Sequence, residues 1–167
     1  KTSTKEMIAA ALGAKFNVLK TQGNFNNEVG LPLTILGIRK EHEVAVVEMG
    51  ISDFGEMHRL SRIAKPGVCV ITNIGQCHLE NLIDRDGVLK AKTEIFDYMQ
   101  EDGYIVLNGD DDKLATVKAV KGKAPFFFGL QESENKTALA TDIQNHGLFG
   151  SDFKMSLFGK ELEASVP

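Results

Sequence analysis

The chain has 167 residues, 43% of them hydrophobic and 25% charged, with a formal net charge of −4. These values suit one globular domain of ordinary size, with at most a small appendage and a core of its own. They exclude a surface drawn to nucleic acid by bulk basicity, and no apolar run approaches the ~20 residues that cross a bilayer.

In chain order, the opening KTSTKEMIAAAL reads as a helix over residues 3–14, with Met7, Ile8, Ala11 and Leu12 at helical spacing and Gly13 as a stop. FNVLKT (16–21) reads as a short strand, QGNFNN (22–27) as a turn, and EVGLPLTILGI (28–38) as a helix with Pro32 near its first turn. EVAVVEM (43–49) is a near-continuous apolar run, the pattern of a strand covered on both faces. Residues 50–67 give a loop and a helix closed by Pro66-Gly67, and VCVITNI (68–74) a second buried strand. A helix over 86–100, a strand over 103–108, a helix over 111–120 and a strand over 125–129 follow.

This alternation predicts an α/β fold with a mostly parallel sheet flanked by helices, residues 44–48, 68–73 and 104–107 lying in one sheet. From about residue 137 the period changes to two, with Gly turns, which predicts an antiparallel meander. Cys69 and Cys77 lack the CxxC spacing of a zinc site. Cys69 reads as buried packing, and a reduced, cytoplasmic setting fits both.

In open α/β sheets, ligands bind beyond the carboxyl ends of the strands, so polar residues there are the candidates. Lys1 and Thr2 read either as the end of a P-loop running into its helix or as a solvated lysine and an N-cap. Glu48 ends an apolar run, where a carboxylate is costly unless it meets a cation or a donor; it reads as a magnesium ligand or as an ion-paired cap. His78 alone reads equally as a surface residue. Lys92 reads as a solvated helix lysine, or as one on the inward face, since it stands three residues from Leu89 and from Ile95. Asp110 to Asp112 could complement a helix dipole, and Asn24, Asn26 and Asn27 could be turn chemistry.

Taken in order, KTSTKE, GNFNNEVGLPLT, VVEMGISDFGEM, TNIGQCHLENL, LKAKTEIF and LNGDD resemble the central, ATP-binding domain of the Mur ligases, over nearly the whole chain. Within that family, TSTKE and GNFNNEVGLPLT are most similar to the members that add D-alanyl-D-alanine to a UDP-MurNAc-tripeptide through an acyl phosphate, in peptidoglycan precursor synthesis. The resemblance implies ATP and two magnesium ions as cofactors, and those two small molecules as substrates of a monomeric enzyme. It implies that Lys1 contacts the β- and γ-phosphates, with Ser3 also at the nucleotide, and that Thr2 and Glu48 ligate magnesium. His78 is implied to bind the second magnesium and face the acyl phosphate. Lys92 matches a lysine carbamylated in many members, which places it among the metal and catalytic groups; Asn108 falls where the family meets adenine. Asn24 and Asn27 would face the substrate carboxylate. Thr2, Glu48, His78 and Lys92 are then expected to converge at one end of the sheet.

On this reading the chain starts inside the P-loop and stops near the end of the central domain, and the amino-terminal UDP-sugar domain and carboxy-terminal Rossmann-like domain lie outside it. Two alternatives stand beside it. One is another ligase of the superfamily, such as one resembling folylpolyglutamate synthase. The other is a folded but inactive piece, since the P-loop glycines are not in the sequence.

Overall fold

A computed structural model describes residues 1–132 and 136–166, and divides the chain into two compact units: residues 1–67 with 75–102, and residues 68–74 with 103–167.

In the first unit, α1 (Thr2–Gly13) leads into β1 (Val18–Lys20), α2 (Gly30–Leu36), β2 (Val44–Val46) and α3 (Glu56–Ala64). After residue 75 come α4 (Leu79–Leu82) and α5 (Arg85–Thr93), which passes into a 3₁₀ turn, Glu94–Phe96. The buried face of α1 carries Lys5 and Ala9, while Met7 and Ala11 of the expected apolar stripe are exposed. α3 buries Met57, Leu60 and Ser61, the i, i+3, i+4 set of an amphipathic helix. Lys65, in the left-handed region, ends it before Pro66. β1 and β2 pair in parallel, Leu19 opposite Ala45. As a two-stranded pair they leave Ala45 exposed, so β2 is not covered on both faces as its apolar run suggests.

The helix expected over 86–100 stops at Thr93. The next residue explains the break. The Glu94 carboxylate accepts from Gly55 N at 3.0 Å and His58 N at 3.2 Å, and its carbonyl takes Ser61 Oγ at 3.2 Å. α3 has no capping side chain of its own, and Glu94 supplies the acceptor that its amino end lacks. Lys92 is half-buried and Lys90 exposed, as their spacing predicts, although Val88 and Ala91 rather than Leu89 form the buried stripe beside Ile95 and Phe96.

The second unit is a six-stranded sheet, β3 (Val68–Ile71), β4 (Tyr104–Asn108), β5 (Phe126–Gly129), β6 (Lys136–Asn145), β7 (Ser151–Leu157) and β8 (Lys160–Val166), in that order. Pairing is parallel from β3 to β6 and antiparallel from β6 to β8. The α/β class, the mostly parallel pairing and the terminal meander are as the sequence predicts. The single ladder is not: β2 pairs with β1, apart from the ladder that holds β3 and β4. Alternate residues Cys69, Ile71, Ile105 and Leu107 form the core face.

The helix expected over 111–120 shrinks to a 3₁₀ turn, Leu114–Thr116. Asp111 Oδ1 caps one turn through Lys113 N and Leu114 N, each at 3.0 Å, and the chain leaves helical geometry at Val117. β-Branched Thr116, Val117 and Val120 favour that exit. Among the described residues no helix is long and apolar enough to cross a membrane.

Candidate functional site

The first unit organises its polar residues around Glu48, two residues past the end of β2. Glu48 is 6% exposed. Its backbone N donates to Thr21 Oγ1 at 3.0 Å, just beyond β1, so the parallel β1–β2 register delivers both residues to the same end of the pair. Thr21 is fully buried, and its carbonyl accepts from Lys5 Nζ at 2.7 Å. Lys5 also pairs with Glu6 at 2.9 Å. Hydrogen bonds from Lys20 and then Lys5 hold the Glu6 carboxyl below its ordinary value.

The Glu48 carboxylate is satisfied on one side only. Oε1 accepts from Asn26 Nδ2 at 2.7 Å, whereas Oε2 is fully buried without a hydrogen-bond partner, alone in this among the described residues. Leaving such an acceptor unpaired costs ~1–3 kcal/mol, more for a charge. An anionic oxygen held in that state suits a cation.

Asn26 also lines an open cleft of about 550 Å³, together with Lys1, Asn27, Gly50, Ser52 and His78. The cleft thus joins the start of α1, the loop before α2, the loop after Glu48 and the residue before α4. His78 precedes α4 with φ +56°, an uncommon conformation for a residue with a Cβ. Thr2, Glu48 and Lys92 do not themselves line the cleft. Thr2 and Ser3 are exposed at the first turn of α1, whose amino end has no side-chain cap. Lys92 stands on α5, two residues before the Glu94 that caps α3.

Asn27 Oδ1 accepts from Val29 N at 3.1 Å and Gly30 N at 2.8 Å, starting α2, so only its amide nitrogen is left to face a ligand. Gly30 is required there: a Cβ would lie 2.4 Å from Phe25 Cα. Asn24 is exposed, and its carbonyl accepts from Asn26 N at 2.7 Å.

Asn108 belongs to the second unit, at the end of β4. Its Nδ2 donates to Thr72 O at 3.0 Å and its Oδ1 accepts from Asp110 N at 2.9 Å, so the side chain ties two strand ends together. Asp111 adds Oδ2 to Ile74 N at 2.7 Å.

No group of three or more His, Cys, Asp or Glu residues able to hold a metal occurs among the described residues. An all-protein cage is therefore not what this donor set offers. One buried carboxylate oxygen fits magnesium, which takes few protein oxygens and fills its octahedron with phosphate and water. The sequence reading missed Lys5, Thr21 and the contact between Asn26 and Glu48. Lys5 stood four residues from Ala9 on one helix face, and Thr21 at a strand end, which are the signals that could have found them.

Residues 1–167 match the family model described as the Mur ligase middle domain. The UDP-N-acetylmuramoyl-tripeptide–D-alanyl-D-alanine ligase of Bacillus subtilis is 47% identical over 123 residues, which is 74% of this chain and 27% of that protein. Among solved structures, MurF from Acinetobacter baumannii superposes with a TM-score of 0.89 at 33% identity, covering 99% of this chain and 36% of that one. MurF ligase from Thermotoga maritima in complex with ADP gives 0.84 at 32% identity, covering 98% and 37%. The chain thus spans about a third of the length of the relatives it matches.

Proposed function

We infer, from the premise that this chain belongs to the Mur ligase middle-domain family, that it is the ATP-binding part of a cytoplasmic, monomeric ligase adding D-alanyl-D-alanine to a UDP-MurNAc-tripeptide. The observation that carries this reading is the buried, unpartnered Oε2 of Glu48 beside a cleft that Lys1 and His78 line.

An amide does not form efficiently from a carboxylate and an amine in water, so the acid is first activated. A carboxylate oxygen of the tripeptide attacks the γ-phosphorus of ATP and ADP leaves. The amine of D-alanyl-D-alanine then attacks the acyl carbon, phosphate departs with the C–O bond pair, and the nitrogen gives up a proton. Three anionic groups must meet for the first step, and the protein's task is to hold and neutralise them.

Lys1 contacts the β- and γ-phosphates, and the uncapped amides at the start of α1, with Ser3, add donors and the positive end of the helix dipole. The Thr2 hydroxyl and Glu48 Oε2 are the groups that would hold one magnesium, and His78 the group for a second. Bound magnesium supplies neutralisation of the charge that gathers on the transferring phosphoryl group. Asn108 meets the adenine ring. Asn24 and the free amide nitrogen of Asn27 orient the substrate carboxylate. Lys92, half-buried on α5, is carbamylated: its amine adds to carbon dioxide with loss of a proton, and the product is an oxygen donor where an ammonium stood.

The test uses the enzyme of full family length carrying this domain. ADP release should require both UDP-MurNAc-tripeptide and D-alanyl-D-alanine and match amide formation mole for mole. ADP release indifferent to both substrates would overturn the assignment.

A further inference from the structure

We propose that Asn26 is a positioning residue that decides which oxygen of Glu48 is offered to a divalent cation, and with it the choice of cation. The proposal rests on the reading of Glu48 as a metal-holding group.

Three contacts immobilise Glu48. Its backbone is fixed by Thr21 Oγ1 at 3.0 Å, Thr21 is fixed by Lys5 at 2.7 Å, and Oε1 is taken by Asn26 Nδ2 at 2.7 Å. Only Oε2 remains. Asn26 is itself clamped. Its carbonyl accepts from Gly50 N at 2.7 Å and its own N donates to Asn24 O at 2.7 Å. A Cβ on residue 50 would stand 3.0–3.2 Å from the amide atoms of Asn26, so the smallness of Gly50 lets the side chain lie where it does.

The chemistry of the partner matters as much as its place. An amide donates a hydrogen bond without bringing charge, so Glu48 keeps its full negative charge for a cation. A lysine or arginine there would have cancelled it. Because Oε1 already accepts from Asn26 while Oε2 is bare, ligation through Oε2 alone is favoured over ligation through both oxygens. That suits magnesium, with short bonds and near-octahedral geometry, and disfavours calcium, which is larger and readily takes both oxygens of a carboxylate. Asn26 therefore acts through Glu48, as a second-layer donor does at other metal sites, where its loss typically costs about 10–100-fold in affinity.

The experiment measures Mn²⁺ binding by the loss of its free electron-paramagnetic-resonance signal, in the full-length enzyme with ADP, with Mg²⁺ and Ca²⁺ as competitors. Asn26→Ala should weaken Mn²⁺ binding about tenfold and narrow the preference for Mg²⁺ over Ca²⁺, while metal-free ADP affinity stays unchanged. Asn26→Asp keeps the shape but replaces the donor with a second negative oxygen; it should also lose the preference for Mg²⁺, and it carries the test if the alanine variant does not fold. Unchanged affinity and unchanged selectivity in a folded Asn26 variant would overturn the proposal. Glu48→Gln separates the two levels. If it abolishes Mn²⁺ binding while the Asn26 variants leave it intact, only the positioning role fails. If Glu48→Gln binds normally, the metal reading fails and the positioning role with it.

Discussion

Lys5 shows how a residue that no motif singles out becomes part of the site's foundation. It lies on the buried face of α1, 4% exposed, and its ammonium meets the Thr21 carbonyl and Glu6. Replacing it by Met would keep the volume and strand the Thr21 carbonyl. We expect Lys5→Met to cost ~1–3 kcal/mol of unfolding free energy in a urea titration; a variant as stable as the parent would show that the carbonyl finds water instead. Glu48 was legible because a carboxylate closing an apolar run demands a reason. Its supports were not. Lys5 and Thr21 are 16 residues apart, Asn26 and Glu48 are 22, and Thr21 and Glu48 are 27, separations that no local period reports. Cys69 could be read, since a small apolar side chain inside VCVIT belongs in a core. It is fully buried, and burial pushes its thiol up to about 12.

At the scale of elements, patterning located helices and strands but not where each stops. The first helix, the strands and the meander stand where their patterning places them, although the buried face of the first helix carries Lys5 and Ala9 rather than Met7 and Ala11 and β2 leaves Ala45 exposed. The helix expected over 86–100 tightens into a 3₁₀ turn at Glu94, whose carboxylate and carbonyl are taken by α3, and the one expected over 111–120 starts on Asp111 but leaves helical geometry at Val117, among β-branched residues. Asp110 does similar work between β4 and the end of β5. It pairs with Lys136, whose side chain is 4% exposed, and accepts from Leu130 N at 2.6 Å and Gln131 N at 3.4 Å. Burial raises its pKa, but the Lys136 hydrogen bond and the two amides together bring it below the ordinary value. A carboxyl with a lower pKa folded than unfolded favours folding when ionised. That contribution is complete above the unfolded value, about 3.9, and fades as pH falls through the folded one. Asp110→Asn should therefore destabilise the protein by about 0.2–1 kcal/mol near pH 7, the scale of a solvent-screened pair. The gap between variant and parent should shrink as the pH is lowered below about 4. A gap independent of pH in thermal melts would remove the ionised carboxylate from the account.

For the whole molecule, the alternation of strands and helices announced an α/β chain, and the change of period after residue 136 announced the meander. The division into two ladders was not legible, because an apolar run says that a strand is covered without saying which strand it pairs with. The candidate site was legible as residue types at strand ends and at the start of α1. The sequence could not tell that Lys1, Asn26 and His78 share one cleft, since the loops that carry them are related only by the fold. The most direct test of the central claim is the steady-state turnover of Glu48→Gln in the full-length ligase, with saturating ATP, UDP-MurNAc-tripeptide and D-alanyl-D-alanine. Glutamine keeps the shape and still offers Asn26 an acceptor, but it removes the charge that Oε2 presents. Glu48→Gln should lose about 10²-fold or more in kcat with a melting temperature no lower than the parent's. Turnover within about twofold of the parent would contradict it.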